Sequence, residues 1–168
     1  MMNQVDIEKG LVRVWDDEAL DAHFSQYWTT GQSDEFLVLN DTEAPGGQPF
    51  PYCNFSVSSG ATTSRSSAAT TGRANVRIQE IRQHPIQFQI YARNIINVGN
   101  AKRVAAAMAE EVMRVYGGHP EYSPKVWDLD HGGILLCQYQ NDFGARMPED
   151  EHLWTINYQL TADVPVSV

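Results

Sequence analysis

Leu153-Trp154-Thr155-Ile156-Asn157-Tyr158-Gln159-Leu160 alternates without a break: Trp154, Ile156, Tyr158 and Leu160 fall on one face, Thr155, Asn157 and Gln159 on the other. A period of two is the pattern of a strand that buries one face and opens the other. Two further stretches repeat it. In Tyr52-Cys53-Asn54-Phe55-Ser56-Val57 the apolar set is Cys53, Phe55 and Val57, and in Ile86-Gln87-Phe88-Gln89-Ile90-Tyr91 it is Ile86, Phe88 and Ile90. Residues 133–139 read as another strand, expected to pair with residues 153–161 across a polar, acidic connection that contains Gly144 and Pro148. Residues 76–82 also look extended, and His84-Pro85 predicts a bend or an edge position before residues 86–91.

One-faced strands need a cover, and the sequence supplies helices for it. From Asn97 the period becomes helical: Val98, Ala101, Ala105, Met108, Val112 and Val115 form a stripe that Gly117-Gly118 ends. Glu110 and Arg114 lie off that stripe at i,i+4 spacing, the favourable orientation for an ion pair. A second helix signal opens at Trp15-Asp16-Asp17-Glu18-Ala19-Leu20, with Asp16 as cap and Trp15 stapling onto Leu20. Leu20, Phe24 and Tyr27 carry its apolar stripe, predicted to end near Trp28. The expected fold class is α+β: a mostly antiparallel sheet of about four to six strands packed against two helices, with a long hairpin loop.

Three stretches fit this plan less directly. Residues 1–14 show no assignable pattern and are read as an N-terminal arm. Residues 35–39 suggest a short strand, and the prolines and glycines of residues 42–51 a loop. Residues 58–75 consist only of Ser, Gly, Ala, Thr, Arg and Asn, with no large apolar group to bury, which predicts a long mobile hairpin tip.

At 168 residues the chain fits a single domain. No apolar run reaches the ~20 residues of a membrane helix, and Asp6 and Glu8 oppose a signal peptide, so no membrane partner is expected and assembly is placed in the cytoplasm. Cys53 and Cys137 sit in strand-like apolar runs without metal-ligand spacing and read as reduced core residues. The net charge of −9 is unevenly spread: residues 44–109 hold seven bases against Glu80, a net +6, which leaves −15 for the two ends. Such a split suits head-to-tail contact between copies, unless folding interleaves the blocks. Arg65, Arg73, Arg77 and Arg82, clustered around the polar hairpin, are the candidate interface residues.

Motifs of catalysis are absent from the sequence: there is no phosphate loop, no HExxH and no GxSxG. His23, His84, His119, His131 and His152 are scattered singly, and neither a metal nor a cofactor is expected. Trp127-Asp128-Leu129-Asp130-His131-Gly132-Gly133 is the one cluster that an enzyme could use, and it reads more simply as an acidic hairpin turn. With two arginines and no aromatics, the Ser/Thr-rich segment lacks the makings of a nucleic-acid site. A small ligand-binding module remains a second reading; it predicts a monomer or dimer stabilised by its ligand.

The order of elements resembles the tail-terminator, or tail completion, proteins of long-tailed bacteriophages. The likeness is carried by Pro51-Tyr52-Cys53-Asn54-Phe55-Ser56-Val57, the polar hairpin, Ile86-Gln87-Phe88-Gln89-Ile90-Tyr91, the helix of residues 97–116 and the final Leu153–Leu160 strand. The segment before Trp15, the length of the loop and Pro85 depart from it. The resemblance implies a non-enzymatic virion protein of the tail neck, a homohexameric ring that meets the tail-tube protein on one side and the head-tail connector on the other. DNA would then be passing cargo, with the acidic ends near the lumen and the polar hairpin reaching a neighbour. Another neck component, a head-completion or stopper protein, is the alternative within the same implication.

Overall fold

The computed structural model describes residues 4–28, 35–69, 76–95, 99–119, 126–130 and 132–166. Within them the chain runs α1 (Gln4–Asp17), α2 (Leu20–Ser25), β1 (Leu39–Asp41), β2 (Tyr52–Val57), β3 (Ala61–Ala69), β4 (Val76–Arg93), α3 (Ala101–Tyr116), β5 (Trp127–Leu129), β6 (Gly132–Arg146) and β7 (Glu151–Val166). The fold is α+β. Its seven-stranded sheet has the order β1-β2-β4-β7-β6-β5, and β3 pairs with β4 on the side that β2 also uses. All pairings are antiparallel except β1 with β2.

The alternation read from the sequence sets the two faces of this sheet. Ile86, Phe88, Ile90, Ile156, Tyr158 and Leu160 are buried together with Cys53, Phe55 and Val57. The helices lie on that side. Phe88 stacks on Trp15 of α1 with ring centres 6.2 Å apart and meets Tyr116 of α3 at 4.9 Å. Each buried phenol in this cluster keeps a polar partner, as burial demands: the Tyr116 hydroxyl donates to Leu11 O at 2.6 Å and that of Tyr158 to Gly117 O at 2.7 Å. Asn100 caps α3 by accepting from Arg103 N at 3.0 Å. Beyond the helix Gly118 has φ +100°, and a Cβ there would sit 2.5 Å from the Tyr139 ring, so glycine serves both backbone and space. Both cysteines are buried free thiols, and burial pushes the Cys137 thiol up to about 12.

Several expectations are corrected. Residues 4–14, read as an arm, belong to α1, whose Ile7, Leu11 and Trp15 recur every four residues and are buried. The helix expected from Asp16 begins earlier and is broken: Ala19 takes φ 53°, ψ 38°, separating α1 from a six-residue α2. Trp15 therefore lies in the last turn of α1 and not ahead of a helix start; its ring packs on Phe24 of α2 with centres 5.4 Å apart, and its indole donates to Asp21 Oδ1 at 2.6 Å. The strand expected over residues 35–39 is displaced to β1. Arg114 pairs with Glu111 at 2.6 Å instead of Glu110. Among the described residues three helices and seven strands thus stand where two and about four to six were expected, the extra pieces being short or edge elements.

The largest difference is in the segment expected as a loop. Residues 61–69 form β3, paired with β4 from Ala61↔Gln83 to Ala69↔Val76, while residues 70–75 lie outside the described residues. Two expected strands are also one: β4 runs unbroken through Pro85. The reason is local. Ser58 N donates to Pro85 O at 2.9 Å, so the side of Pro85 that lacks an N–H faces residues 58–60, where β2 has ended and β3 has not begun. The missing donor falls where the ladder has a gap.

Candidate interaction surface

Three of the four candidate arginines, Arg65, Arg77 and Arg82, belong to the ribbon formed by β3 and β4. Arg65 stands opposite Glu80, Arg77 opposite Ala68, and Arg82 opposite Thr62; Arg73 lies outside the described residues. Glu80 and Arg82, two apart on β4, share a face, and the guanidinium donates twice to Glu80 Oε2, at 2.9 and 2.7 Å. Glu80 is only 2% exposed, so its carboxylate depends on such charged donors for the hydration it has lost. The backbone register thus sets Arg65, Glu80 and Arg82 in neighbouring cross-strand positions. Elsewhere the basic middle of the chain meets the acidic C-terminal part within the fold: Arg93 Nε donates to Glu151 at 3.0 Å, and the guanidinium lies 4.1 Å above the Phe50 ring.

Sequence reasoning missed a surface that only the register assembles. The sheet face opposite the helices is built from cross-strand rows: Asn54-Gln89-Thr155-Phe143, Ser56-Gln87-Asn157-Asn141, and Pro85-Gln159-Gln138. None of these residues is charged. Gln89 donates to Gln87 at 3.0 Å, Gln87 to Asn157 at 3.0 Å, and Asn157 to Asn141 at 2.8 Å, a relay of carboxamides across β4, β7 and β6. Gln159 adds a parallel link to Gln83 at 3.0 Å. The relay fixes the side chains while leaving each amide with unused donor and acceptor capacity. One end of the face is aromatic, with Tyr52 and Tyr91 stacked at 5.0 Å, and Phe143 stands 53% exposed on its β6 margin. The signal was present as the polar half of each alternating strand.

The Asp/His cluster does not assemble a reactive centre among the described residues. It is the β5–β6 turn, with Leu129 opposite Gly132 and φ +137° at Gly132. Asp130 accepts from Arg13 Nη2 at 3.0 Å, Asp128 is exposed, and His131 lies outside the described residues. A cleft of about 640 Å³ at the start of α3 is lined by Asn94, Lys102, Arg146, Asp150 and His152 among others. The helix amides there are engaged already, Ala101 N by Asn94 Oδ1 at 2.7 Å and Arg103 N by Asn100, and the lining mixes both signs of charge. Burial lowers the His152 imidazole pKa, and Lys102 adds to that. No helix of the described residues is long and apolar enough to cross a membrane.

No family model matches this chain, and no curated protein matches it. Among solved structures it is similar to a chain of one described as "Virion of native gene transfer agent (GTA) particle", over 82% of this chain and 90% of that one. The identity is 11% and the TM-score 0.46, a likeness too low to transfer a role.

Proposed function

We propose that this chain is a non-enzymatic structural protein of a phage-like virion: a tail terminator whose copies form a ring, hexameric, that caps the tail tube and joins it to the head-proximal connector. The observation that carries the reading is β3. Nine residues without a large apolar side chain form a strand that, among the described residues, pairs with β4 and with no other strand, so its composition gives it little apolar surface to add to a core. A strand of that kind has its use at a contact with another chain. The uncharged carboxamide face supports the same reading, because amides are less costly to desolvate than charges and can meet a partner as donor or acceptor. With a net charge of −9, DNA is cargo to be passed and not a ligand to be gripped.

The reading is tested by adding purified protein to polymerised tail-tube protein of the same virus and imaging by negative-stain electron microscopy. A ring seated at one end of the tubes is expected. Binding to the connector without binding to tubes would move the chain to a head-completion or stopper role, and binding to neither would contradict a place in the neck.

A further inference from the structure

We propose that copies of this chain join edge to edge, the outer edge of β3 in one copy pairing with the outer edge of β6 in the next. The partner, a second copy, rests on the ring reading above; the edges themselves are features of the sheet. On one side β5 covers β6 only from Gly132 to Ile134, and the rest of this 15-residue strand has no strand beyond it among the described residues. On the other side β3 pairs with β4 and with no second strand among the described residues. Natural sheets protect such edges with prolines, several charges, bulges or very short strands, and of these each edge here carries a bulge. In β3 there is no proline and one charge, Arg65; residues 135–146 also lack proline and hold two charges, Asp142 and, at the far end, Arg146. The Asp142 carboxylate there is engaged by the Trp154 indole at 2.8 Å and by the Tyr139 hydroxyl.

Strand direction selects the partner. β3 is antiparallel to β4, β4 to β7 and β7 to β6, so β3 and β6 run in opposite senses at the two margins. A second copy rotated about an axis tilted from the strands, as strands tilt to the axis of a closed barrel, keeps the strand sense, and its β3 then meets the first copy's β6 antiparallel, continuing the alternation of the sheet. The contact uses a different surface on each side, the heterologous type, which closes into a ring where the rotation between copies closes and otherwise grows as an open filament. Ala61 is level with Gln83, Thr161 and Leu136, so β3 lies toward the start of β6 while the open part of β6 extends the other way. Joining them offsets neighbours along the strands, which is the stagger that strand tilt produces in a closed barrel.

Each edge carries a bulge that makes the test clean. Thr63 is skipped between Thr62↔Arg82 and Ser64↔Ile81, and Gln140 between Tyr139↔Tyr158 and Asn141↔Asn157. Proline is tolerated at a bulge, where no inner ladder bond is lost, and it obstructs addition of an outer strand. Thr63→Pro and Gln140→Pro should each melt close to the wild type and each run as a single chain by light scattering. Mixed in equal amounts they retain one intact edge each and should form a heterodimer that grows no further. Rings unchanged by either proline overturn the edge pairing and leave the ring reading standing; a wild type monomeric with and without tube protein overturns both. Should a proline variant fail to fold, amide hydrogen exchange on the wild type decides the matter. Residues 61–69 and 135–146 must gain protection together as rings form, and exchange that stays fast in either segment overturns the proposal.

Discussion

Gly60 lies against the His84 imidazole so closely that a Cβ at position 60 would fall 2.4 Å from both Cε1 and Nε2 of the ring. The contact sits at the gap between β2 and β3, where His84 Nδ1 donates to Ser58 O at 3.0 Å. One glycine and one buried histidine therefore hold the point at which the ribbon leaves the covered part of the sheet.

Gly60→Ala should destabilise the domain by about 1–3 kcal/mol, since the ring is buried and has little room to retreat. Urea unfolding measures it. A midpoint equal to that of the wild type would mean that the crossover yields freely.

Acid should weaken the same junction. Burial lowers the His84 pKa, more than the Ser58 carbonyl raises it, and Arg82 adds to the lowering. The unfolded chain then binds a proton that the folded chain refuses, so stability is complete above the unfolded value of about 6.5 and falls as pH drops below it. Partial burial raises the carboxyls of Glu8 and Asp16, which work in the opposite sense only at the lower pH where carboxylates titrate. His152, lowered by burial in the same way, adds to the loss in the same window. Thermal melts between pH 7.5 and 5.5 should show the loss, and His84→Gln should reduce it to the share that His152 carries.

Arg82→Ala should cost about 1–3 kcal/mol by removing two charged hydrogen bonds from the buried Glu80 carboxylate. Arg82→Lys should restore part of that, because a lysine supplies the charge without the fork. Chemical denaturation of the two variants side by side checks the order.

Leu11→Ala should cost about 2–5 kcal/mol, the range for a fully buried leucine. Loss of cooperative unfolding on deleting residues 1–14 would make the same point. A truncated chain that melts like the wild type would return the segment to the status of an arm.

The parts of the fold that bury a regular apolar face were legible in the sequence: the strands around Phe55, Phe88 and Ile156, and the stripe of α3. Those that escaped lack that signal for physical reasons. In α1 the stripe of Ile7, Leu11 and Trp15 is one residue wide and set among Asp6, Glu8, Lys9 and Arg13, so it reads as polar. β3 contains no large apolar residue and pairs through its main chain, which leaves no hydrophobic period to read. Pro85 signalled a break because a proline's cost depends on which side of the strand its missing donor faces. The arginines were visible as a cluster in sequence, whereas the carboxamide face needed the register that sets Gln87 beside Asn157.

Assembly into a ring is tested by the solution mass of the purified protein, measured by light scattering across concentration and with tail-tube protein added. A ring of about six copies is expected, formed alone or driven by the tube, with interfaces of heterologous type. A chain that stays monomeric under both conditions would contradict it.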